Sequence, residues 1–319
     1  MPDESGRAEA STAAALDIRS LRKEFGTAVA LDGISLRVPN GSIFGFLGPN
    51  GAGKTTTIRI VTGLAHATAG TVRVLGRDLA HDRATIAREI GFLPDVPGFY
   101  DWMTAVECLG FTGRLFGLGG SALRQRVDDL LDLAGLTNVA TRIGGYSRGM
   151  KQRLGIAQAL INAPRLLILD EPTSALDPIG RREVLETVAS LRGRATVFFS
   201  THILADVERV CDTVAILDHG RVVANSSVAA LKQRAGVNRL AVTVDGDARV
   251  LAQRLEGAPW LVACDIEDAT LRLTVSDAQR AAHVLPRAVA DAELGLLRLA
   301  NEEVSLEDVF VQLVGGERA

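Results

Sequence analysis

One eight-residue stretch decides the fold of this chain: Gly48-Pro49-Asn50-Gly51-Ala52-Gly53-Lys54-Thr55. It satisfies the pattern G-x-x-x-x-G-K-[ST], in which glycines let successive backbone N–H groups turn towards phosphate oxygens. The apolar run Ile43–Leu47 before it has the length of a buried strand, and Ile58, Val61 and Leu64 after it have helical spacing. This strand–loop–helix context predicts a nucleotide-phosphate site in an α/β domain.

The residues of this pattern have distinct roles. Lys54 supplies a positive charge for the β- and γ-phosphates, and the Thr55 hydroxyl is placed to ligate Mg²⁺. The helix that begins near Thr55 adds partial positive charge at the same point. A chance glycine-rich turn is the alternative, and the strand and helix on either side argue against it. The predicted nucleotide contacts of this segment are Gly48, Pro49, Asn50, Gly51, Ala52, Gly53, Lys54, Thr55 and Thr56.

Two carboxylates end a second buried run. Asp170 and Glu171 follow Leu166–Leu169, which has the composition of a parallel strand. At the carboxyl edge of a parallel sheet, Asp170 would face the crevice of the phosphate loop and hold Mg²⁺, directly or through water. Glu171, one residue further, suits a general base or a water-orienting group. An acidic turn after a strand is common, so this prediction depends on the phosphate loop.

Hydrophobic periodicity changes along the chain. Near the N-terminus apolar residues alternate with polar ones, which indicates an antiparallel β layer with one solvated face. Further on, continuous apolar runs predict parallel strands buried on both faces. Between Asp101 and Ala140 the spacing is helical, which predicts an insertion into the α/β core. The alternating residues are Leu16, Ile18, Ile34, Leu36 and Val38, and the continuous runs are Ile43–Leu47, Leu166–Leu169, Thr196–Ser200 and Val214–Leu217.

A second pattern begins at Leu240. Its elements follow the order βαββαβ, which indicates a small ferredoxin-like α+β domain. A short helix from Leu306 is expected after it. The predicted strands are Leu240–Val244, Trp260–Ile266, Leu271–Val275 and Gly295–Leu299, and the predicted helices are Ala248–Leu255 and about Ala278–Val289.

Composition excludes several classes of protein. The net charge of −3 gives no basic field for nucleic acid, so no nucleic-acid partner is expected. Cys108, Cys211 and Cys264 lie far apart without zinc-ligand spacing, and we expect buried thiols in a reducing compartment. No segment reaches the roughly 18 uncharged apolar residues of a membrane span, so any role at a membrane would need a partner.

Residues 146–153, with the sequence YSRGMKQR, make the pattern more specific. They resemble the signature motif of ABC ATPases, whose usual form is LSGGQ, with Ser147 and Gly149 matching. Tyr146, Arg148 and Met150 depart from that form. These departures resemble the signature motif of exporter-type subunits of the drug-resistance and polysaccharide-export kind. Ser147 also suits a helix N-cap. In the family this helix N-terminus is aimed at the γ-phosphate of ATP held by the opposite subunit.

Three further positions match family elements. Asp177 ends the stretch 174–177, which resembles the D-loop that passes between subunits. His202 follows a predicted strand and resembles the switch histidine, which implies contact with the γ-phosphate and orientation of Glu171 and the attacking water. Phe25 occupies the position where the family places an aromatic ring against adenine, although an ordinary core role is the alternative.

Asp95 is a departure from the family pattern. The family's Q-loop normally has Gln at this position, in the segment Gly91–Asp95. Asp is shorter and anionic, and it cannot donate a hydrogen bond when ionised. The resemblance implies a place in the loop that joins core and helical insertion, with contact to nucleotide and Mg²⁺ or its water. A role in sensing the γ-phosphate is left open.

The resemblance covers roughly Leu16–Leu231, and residues 304–310 also look like the ending of exporter-type subunits. It implies an α/β P-loop ABC ATPase core with an antiparallel β layer and a helical subdomain, over about 96–162. The expected organisation is a disordered tail (1–14), an ABC ATPase domain (15–231) and a C-terminal accessory domain (239–319).

The resemblance also implies a function. The chain would bind and hydrolyse ATP with Mg²⁺, using Lys54, Glu171 and His202 as catalytic residues. Each ATP site would combine the phosphate loop of one subunit with Ser147 and Gly149 of the other. The chain is therefore expected to form a homodimer around ATP. The helical insertion would dock a separate transmembrane permease, at the cytoplasmic face of the cell membrane, and the transport direction would be export.

Three alternatives compete with this hypothesis. A non-transport ABC ATPase of DNA maintenance or translation typically has coiled-coil arms or two cassettes in one chain, which this sequence lacks. A P-loop GTPase would need a guanine-reading NKxD motif, which is also missing from the sequence. An importer subunit is the third alternative, and the signature variant and the short C-terminal domain favour export.

Overall fold

The computed structural model describes residues 14–174, 176–234, 238–302, 305–307 and 309–310. The chain divides into two compact units, Met1–Val228 and Ala229–Ala319. Of the predicted tail, residues 1–13 lie outside the described residues, and Ala14 already belongs to the first strand. The predicted ending at 304–310 lies partly outside them as well. The predicted domain limits themselves stay predictions.

An antiparallel sheet forms the first layer of the first unit. Its order is β2-β1-β4-β5. The alternating residues predicted for this layer are all buried, because each points to the face that packs on the core. This confirms the antiparallel layer. The strands are β1 (Ala14–Phe25), β2 (Ala28–Pro39), β4 (Ala69–Val74) and β5 (Arg77–Asp78).

A six-stranded sheet forms the second layer, in the order β10-β9-β3-β8-β7-β6. Five of its strands run parallel, and β10 is antiparallel to β9. Every residue of β3, β7 and β8 is buried, which explains their continuous apolar runs. The strands are β3 (Ile43–Leu47), β6 (Ile90–Leu93), β7 (Leu166–Asp170), β8 (Thr196–Thr201), β9 (Thr213–Asp218) and β10 (Arg221–Ser227).

Apolar side chains from both sheets fill the core between the layers. Phe44 of β3 stacks on Phe198 of β8 with ring centroids 5.8 Å apart, and Phe46 lies 5.1 Å from the same ring. Such rings bury a large apolar area, so they fix β3 against β8 at the base of the phosphate loop. The helices of this core are α1 (Lys54–Val61), α2 (Arg83–Glu89), α6 (Pro178–Ser190) and α7 (Leu204–Val210).

A helical segment lies between β6 and β7, as the helical spacing predicts. Thr104 and Glu107 form a reciprocal capping box at its first helix. Of the apolar residues with helical spacing in this segment, Val127, Leu130 and Leu131 are buried and Leu133 is half-buried. The elements are α3 (Ala105–Leu115), α4 (Gly120–Leu133), a 3₁₀ turn (Ile143–Gly145) and α5 (Arg148–Ala159). Within the described residues, no helix is long and apolar enough to cross a bilayer.

Over residues 238–302, the second unit is a four-stranded antiparallel sheet with two helices. Its strand order, β12-β13-β11-β14, places the first and third strands of the βαββαβ pattern at the centre. The ferredoxin-like prediction is therefore confirmed. Its core joins Leu251 and Leu285 of the helices to Leu271 and Leu273 of the sheet. The elements are β11 (Asn238–Asp245), α9 (Ala248–Leu255), β12 (Leu261–Glu267), β13 (Thr270–Val275), α10 (Ala278–Asp291) and β14 (Gly295–Glu302), and α8 (Val228–Arg234) precedes them.

The three cysteines are free thiols. Cys108 and Cys211 are buried as expected, and burial raises the pKa of the Cys108 thiol to about 11. Cys264 differs from the prediction because it is half-buried, on the edge strand β12.

Candidate active site

The phosphate loop joins β3 to α1 at the carboxyl edge of the parallel sheet. Gly53 begins α1 with a φ of 109°, a left-handed conformation that favours glycine. A Cβ atom there would lie 2.6 Å from Leu31 Cδ2, and one at Gly48 would lie 2.3 Å from the Leu217 carbonyl oxygen. The loop backbone is therefore pressed against β2 and β9 at positions that leave no room for a side chain.

Lys54 is buried inside this loop. Its Nζ donates to the carbonyl oxygens of Gly48 at 2.6 Å and Pro49 at 3.2 Å. It also lies 3.2 Å from Glu171 Oε1. Among the described residues, no donor meets Glu171 Oε1 with hydrogen-bond geometry, so this contact is an ion pair without a directed hydrogen bond. The ammonium group is thus held at the loop, beside Glu171, the second of the two predicted acids.

Asp170 ends β7 and is almost fully buried. Burial raises the pKa of its carboxyl, hydrogen bonds from the Ser200 and Thr55 hydroxyls lower it, and the negative charges of Glu171 and Asp95 raise it again. The net shift is upward. Ser200 Oγ donates to Asp170 Oδ1 at 2.6 Å. The Asp170 carboxylate therefore carries an unfavourable charge that a cation would stabilise.

The donor set at Asp170 fits Mg²⁺. The Thr55 hydroxyl and the Asp170 carboxylate are hard oxygen donors, and the hydroxyl is near enough to lower the pKa of Asp170. Within the described part of the chain, no group of three His, Cys, Asp or Glu side chains is arranged to hold a metal by itself. Mg²⁺ is commonly held by one or two protein oxygens with phosphate oxygens and water completing the octahedron. Thr55 and Asp170 supply that number of ligands.

Glu171 lies between Lys54 and His202. Its backbone has a φ of 48°, which is uncommon for a residue with a side chain. The backbone N–H of Glu171 donates to the Ser200 carbonyl at 3.1 Å and contacts Ser200 Oγ at 3.2 Å. This turn directs the carboxylate outward, where Oε2 lies 2.8 Å from His202 Nδ1. A carboxylate that contacts both a lysine and a histidine at a sheet edge can accept a proton from water.

Asp95 lies in the loop after β6. Its Oδ1 accepts a hydrogen bond from Ser174 Oγ at 2.5 Å, and its carbonyl accepts one from Gln152 Nε2 at 3.4 Å. Asp95 therefore joins the turn after Glu171 to helix α5. Its charge reaches Asp170, whose pKa it raises. Its roles as an Mg²⁺ ligand and a nucleotide contact stay predictions.

Ser147, Gly149 and Asp177 form a second group, at the N-termini of α5 and α6. Ser147 is exposed and caps α5 by accepting the Met150 N–H at 3.2 Å. Asp177 caps α6 by accepting the Gly180 N–H at 3.0 Å. A Cβ atom on Gly149 would lie 3.7 Å from the Gly180 Cα, so the two helix starts are adjacent. Phe25, at the end of β1, is 57% exposed with Lys23 Nζ 4.7 Å from its ring centroid.

The sequence did not predict the contacts of two hydroxyl groups in this site. Ser200 bonds to both Asp170 and Glu171, and Ser174 bonds to Asp95. Ser200 had a readable signal, because it is a polar residue at the end of a buried apolar run and pairs in register with Asp170. Ser174 belongs to the stretch 174–177 that resembles the D-loop, but its contact with Asp95 had no signal, since the two residues lie 79 positions apart in the sequence.

Comparison with known proteins agrees with this geometry. A family model described as ABC transporter matches residues 31–174. The uncharacterized ABC transporter ATP-binding protein YxlF of Bacillus subtilis (strain 168) is 40% identical over 94% of this chain and 99% of its own length. The Nod factor export ATP-binding protein I of Paraburkholderia xenovorans (strain LB400) is 37% identical over 95% of this chain and 98% of its own.

A solved structure supports the same assignment. The ATP-binding subunit of an ABC transporter superposes with a TM-score of 0.63 at 31% sequence identity, over 70% of this chain and 93% of that one. The two relatives are similar over nearly the whole chain, and this similarity, together with the phosphate loop and its acids, identifies the family. The chain belongs to the ABC transporter ATP-binding family and is one of its ATPase subunits.

Proposed function

We propose that this chain is the ATP-hydrolysing subunit of an exporter, in which two copies close around ATP and drive a separate transmembrane permease. The observation that carries the catalytic part is the placement of the Glu171 carboxylate between Lys54 and His202, at 3.2 Å and 2.8 Å. Asp170 ends β7, Glu171 follows it, and His202 follows β8. These two strands are parallel neighbours, so the sheet itself brings the three residues to one edge.

In the proposed mechanism the chain binds and orients ATP, and Glu171 accepts the proton of the attacking water. The loop amides and Lys54 hold the phosphates, and Phe25 faces the adenine. Thr55 and Asp170, with Asp95 nearby, would hold Mg²⁺, which when bound neutralises charge on the phosphate oxygens. His202 keeps the Glu171 carboxylate directed at the water. Placement of charge supplies most of the rate enhancement.

The second group of residues supports a dimer. Ser147 and Gly149 lie at the N-terminus of α5, where the helix dipole and the first backbone N–H groups favour an anion. Asp177 lies at the adjacent helix start. A chain that carries one phosphate loop and one such helix start can complete two sites if two copies face each other. This arrangement makes ATP part of the dimer interface.

The helical segment offers a surface for the permease. A groove between α2 and the end of α3 is lined by Arg88, Leu115, Phe116 and Asn162 among others. Leu115 is 70% exposed and Phe116 is 41% exposed, and apolar groups of this size at a groove favour a partner. The export direction is supported by the signature variant and by the relative named for Nod factor export. The chain would then lie peripherally at the cytoplasmic face of the cell membrane.

The experiment that tests this proposal compares two variants in their dependence on ATP. Glu171→Gln should bind ATP, hydrolyse it at least about 100-fold more slowly, and accumulate as an ATP-bound dimer measured by light scattering after gel filtration. In that background Ser147→Arg should abolish the ATP-dependent dimer while the monomer still binds a fluorescent ATP analogue.

Ser121→Arg is the matched control, because Ser121 is an exposed serine near the start of another helix of the same segment. That variant should dimerise like Glu171→Gln alone. Near-parental hydrolysis by Glu171→Gln would show that another group is the base. Dimers that form equally well with Ser147→Arg would contradict the composite site.

A further inference from the structure

We infer that Asp206, a buried carboxylate behind the site, is a positioning residue that sets the distance between Glu171 and His202. The inference rests on the proposed roles of those two residues. Asp206 lies in the first turn of α7 and is fully buried. Buried carboxylates are rare unless they are paired, and each of its two oxygens has a partner from a different segment.

The two partners are held by short hydrogen bonds. Thr173 Oγ1 donates to Asp206 Oδ2 at 2.6 Å, and Thr173 is itself buried. Arg181 Nε donates to Asp206 Oδ1 at 2.6 Å, from a side chain that is 32% exposed. Hydrogen bonds to a charged group inside the protein are stronger and more directional than those at the surface. We call Thr173, Arg181 and Asp206 the carboxylate clamp.

The clamp joins three of the segments that carry predicted site residues. Thr173 is two positions after Glu171, Arg181 lies in the first turn of the helix capped by Asp177, and Asp206 is four positions after His202. The backbone N–H of Asp206 also donates to the Ile203 carbonyl at 3.2 Å, which closes the turn that follows His202. One carboxylate therefore fixes the base, the histidine and the start of α6 relative to one another.

The contact between Glu171 and His202 needs such support. The His202 side chain is 42% exposed, and a polar contact this open to water contributes little to stability by itself. The Glu171 backbone is held in a left-handed conformation, φ 48°, that its surroundings must maintain. The clamp binds residues that follow Glu171 and His202 in the sequence. It can therefore hold the 2.8 Å contact between those two side chains without touching ATP.

Removing the Thr173 hydroxyl tests the inference most cleanly. Thr173→Val keeps the shape of the side chain but loses the donor to Asp206, and Thr173→Ser keeps the donor. We expect Thr173→Val to lower kcat for ATP about tenfold or more, since small misplacements of reacting groups have large effects on rate. The Kd for ATP should stay within about twofold, and Thr173→Ser should restore kcat to near the parent value.

Asp206→Asn is the second variant, because the amide presents one acceptor where the carboxylate presents two. Its kcat should fall in the same way, and the double variant with Thr173→Val should be no slower than the worse single variant. Glu186→Gln is the matched control. Glu186 also joins α6 to α7, through Arg209 at 3.4 Å, but this pair is exposed and lies outside the clamp. Its kcat should be unchanged.

All rates are measured on the full chain, at a temperature below the unfolding range of each variant as determined by circular dichroism. A kcat within about twofold of the parent for folded Thr173→Val would overturn the inference, as would an equal loss of kcat and ATP affinity. If Asp206→Asn does not fold, the Thr173 pair decides alone. Glu171→Gln separates the two proposals: if it loses hydrolysis while the clamp variants do not, the inference fails and the proposed base stands.

Discussion

At the scale of single residues, the site is a short chain of polar side chains in contact: Lys54, Glu171 and His202, with Asp170 preceding Glu171 in the sequence. Lys54 is held by the Gly48 and Pro49 carbonyls, and Asp170 by the Ser200 hydroxyl. Ser200 is central to this arrangement, because its hydroxyl contacts Asp170 and the Glu171 N–H and its carbonyl accepts from Glu171.

His202→Ala tests the role of the histidine. Removing the imidazole leaves Glu171 paired with Lys54 but without its partner at Oε2. We expect hydrolysis to fall by about 100-fold while the Kd for ATP changes much less, because the phosphate loop is untouched. Steady-state phosphate release and equilibrium binding of a fluorescent ATP analogue provide the two measurements. Equal losses of rate and affinity would instead assign His202 a structural role.

Asp170→Asn tests how much the buried negative charge lowers the stability of the protein, and how that effect changes with pH. The pKa of Asp170 is raised in the folded protein, chiefly by burial, so the folded state holds a proton more tightly than the unfolded state. Its contribution to stability is full below the ordinary carboxyl pKa and is lost as pH rises through the raised value. At neutral pH the ion destabilises the nucleotide-free protein, and Asp170→Asn should have the higher Tm there.

This difference in Tm should shrink as the pH is lowered through the raised pKa, because wild-type Asp170 then becomes neutral as well. Thermal melts of both proteins without nucleotide or Mg²⁺, in a series of buffers, give the comparison. Asp132→Asn, at an exposed position of α4, is the control and should track the wild type at every pH. A Tm difference that does not change with pH would mean that the charge of Asp170 is not its cause.

At the scale of elements, the order of strands in the second sheet creates the site. β3, β8 and β7 are neighbours and parallel, so their carboxyl ends place the phosphate loop, His202 and Asp170 side by side. Sequence separation is irrelevant to this proximity. The helical segment enters between β6 and β7, next to the strand that carries the acids, so Asp95 reaches the same edge.

The capping box of α3 gives a prediction for this segment. The Thr104 hydroxyl accepts the Glu107 N–H at 3.2 Å, and Glu107 Oε2 accepts the Thr104 N–H at 2.8 Å. Thr104→Ala removes one half of the box and should lower the free energy of unfolding by about 1 kcal/mol. Urea unfolding followed by circular dichroism measures it. Binding of ATP should be unaffected, and Thr104→Ser should retain most of the stability.

Periodicity predicted the elements well because each element has one environment. β7 is buried on both faces and reads as continuous Leu and Ile, whereas β1 has one wet face and alternates. The ferredoxin-like order followed from the same rule. The resemblance at Ser147 and His202 indicated the site. The structure adds the contacts of Glu171 with Lys54 and with His202.

Other features could not be read from the sequence. The carboxylate clamp joins positions 173, 181 and 206, and nothing in periodicity marks a buried aspartate in a seven-residue helix. The hydrogen bond between Ser174 and Asp95 depends on how the loop after β6 folds back. These contacts are long-range and polar, and a linear pattern carries no information about which donor will meet which acceptor.

At the scale of the whole molecule, the groove at Leu115 gives a prediction about location. Leu115→Arg places a charge in the surface proposed to receive the permease. We expect the variant to move from the membrane fraction to the supernatant when source cells are fractionated, while the purified protein hydrolyses ATP at the parental rate. Immunoblots of pellet and supernatant give the measurement.

Leu64→Arg is the matched control for this experiment. Leu64 is 64% exposed, close to the 70% of Leu115, and it lies after α1 and not in the groove. It should stay in the membrane fraction. If both variants, or neither, leave the membrane, the groove is not the docking surface.

The contact of Lys54 with Glu171 joins the phosphate loop to the proposed base. Two protons of the ammonium group are used by the Gly48 and Pro49 carbonyls, and its charge lies against the acid expected to activate water. A γ-phosphate that draws Lys54 towards itself must also loosen that pairing. Binding of the γ-phosphate by Lys54 and release of the Glu171 carboxylate would then occur together.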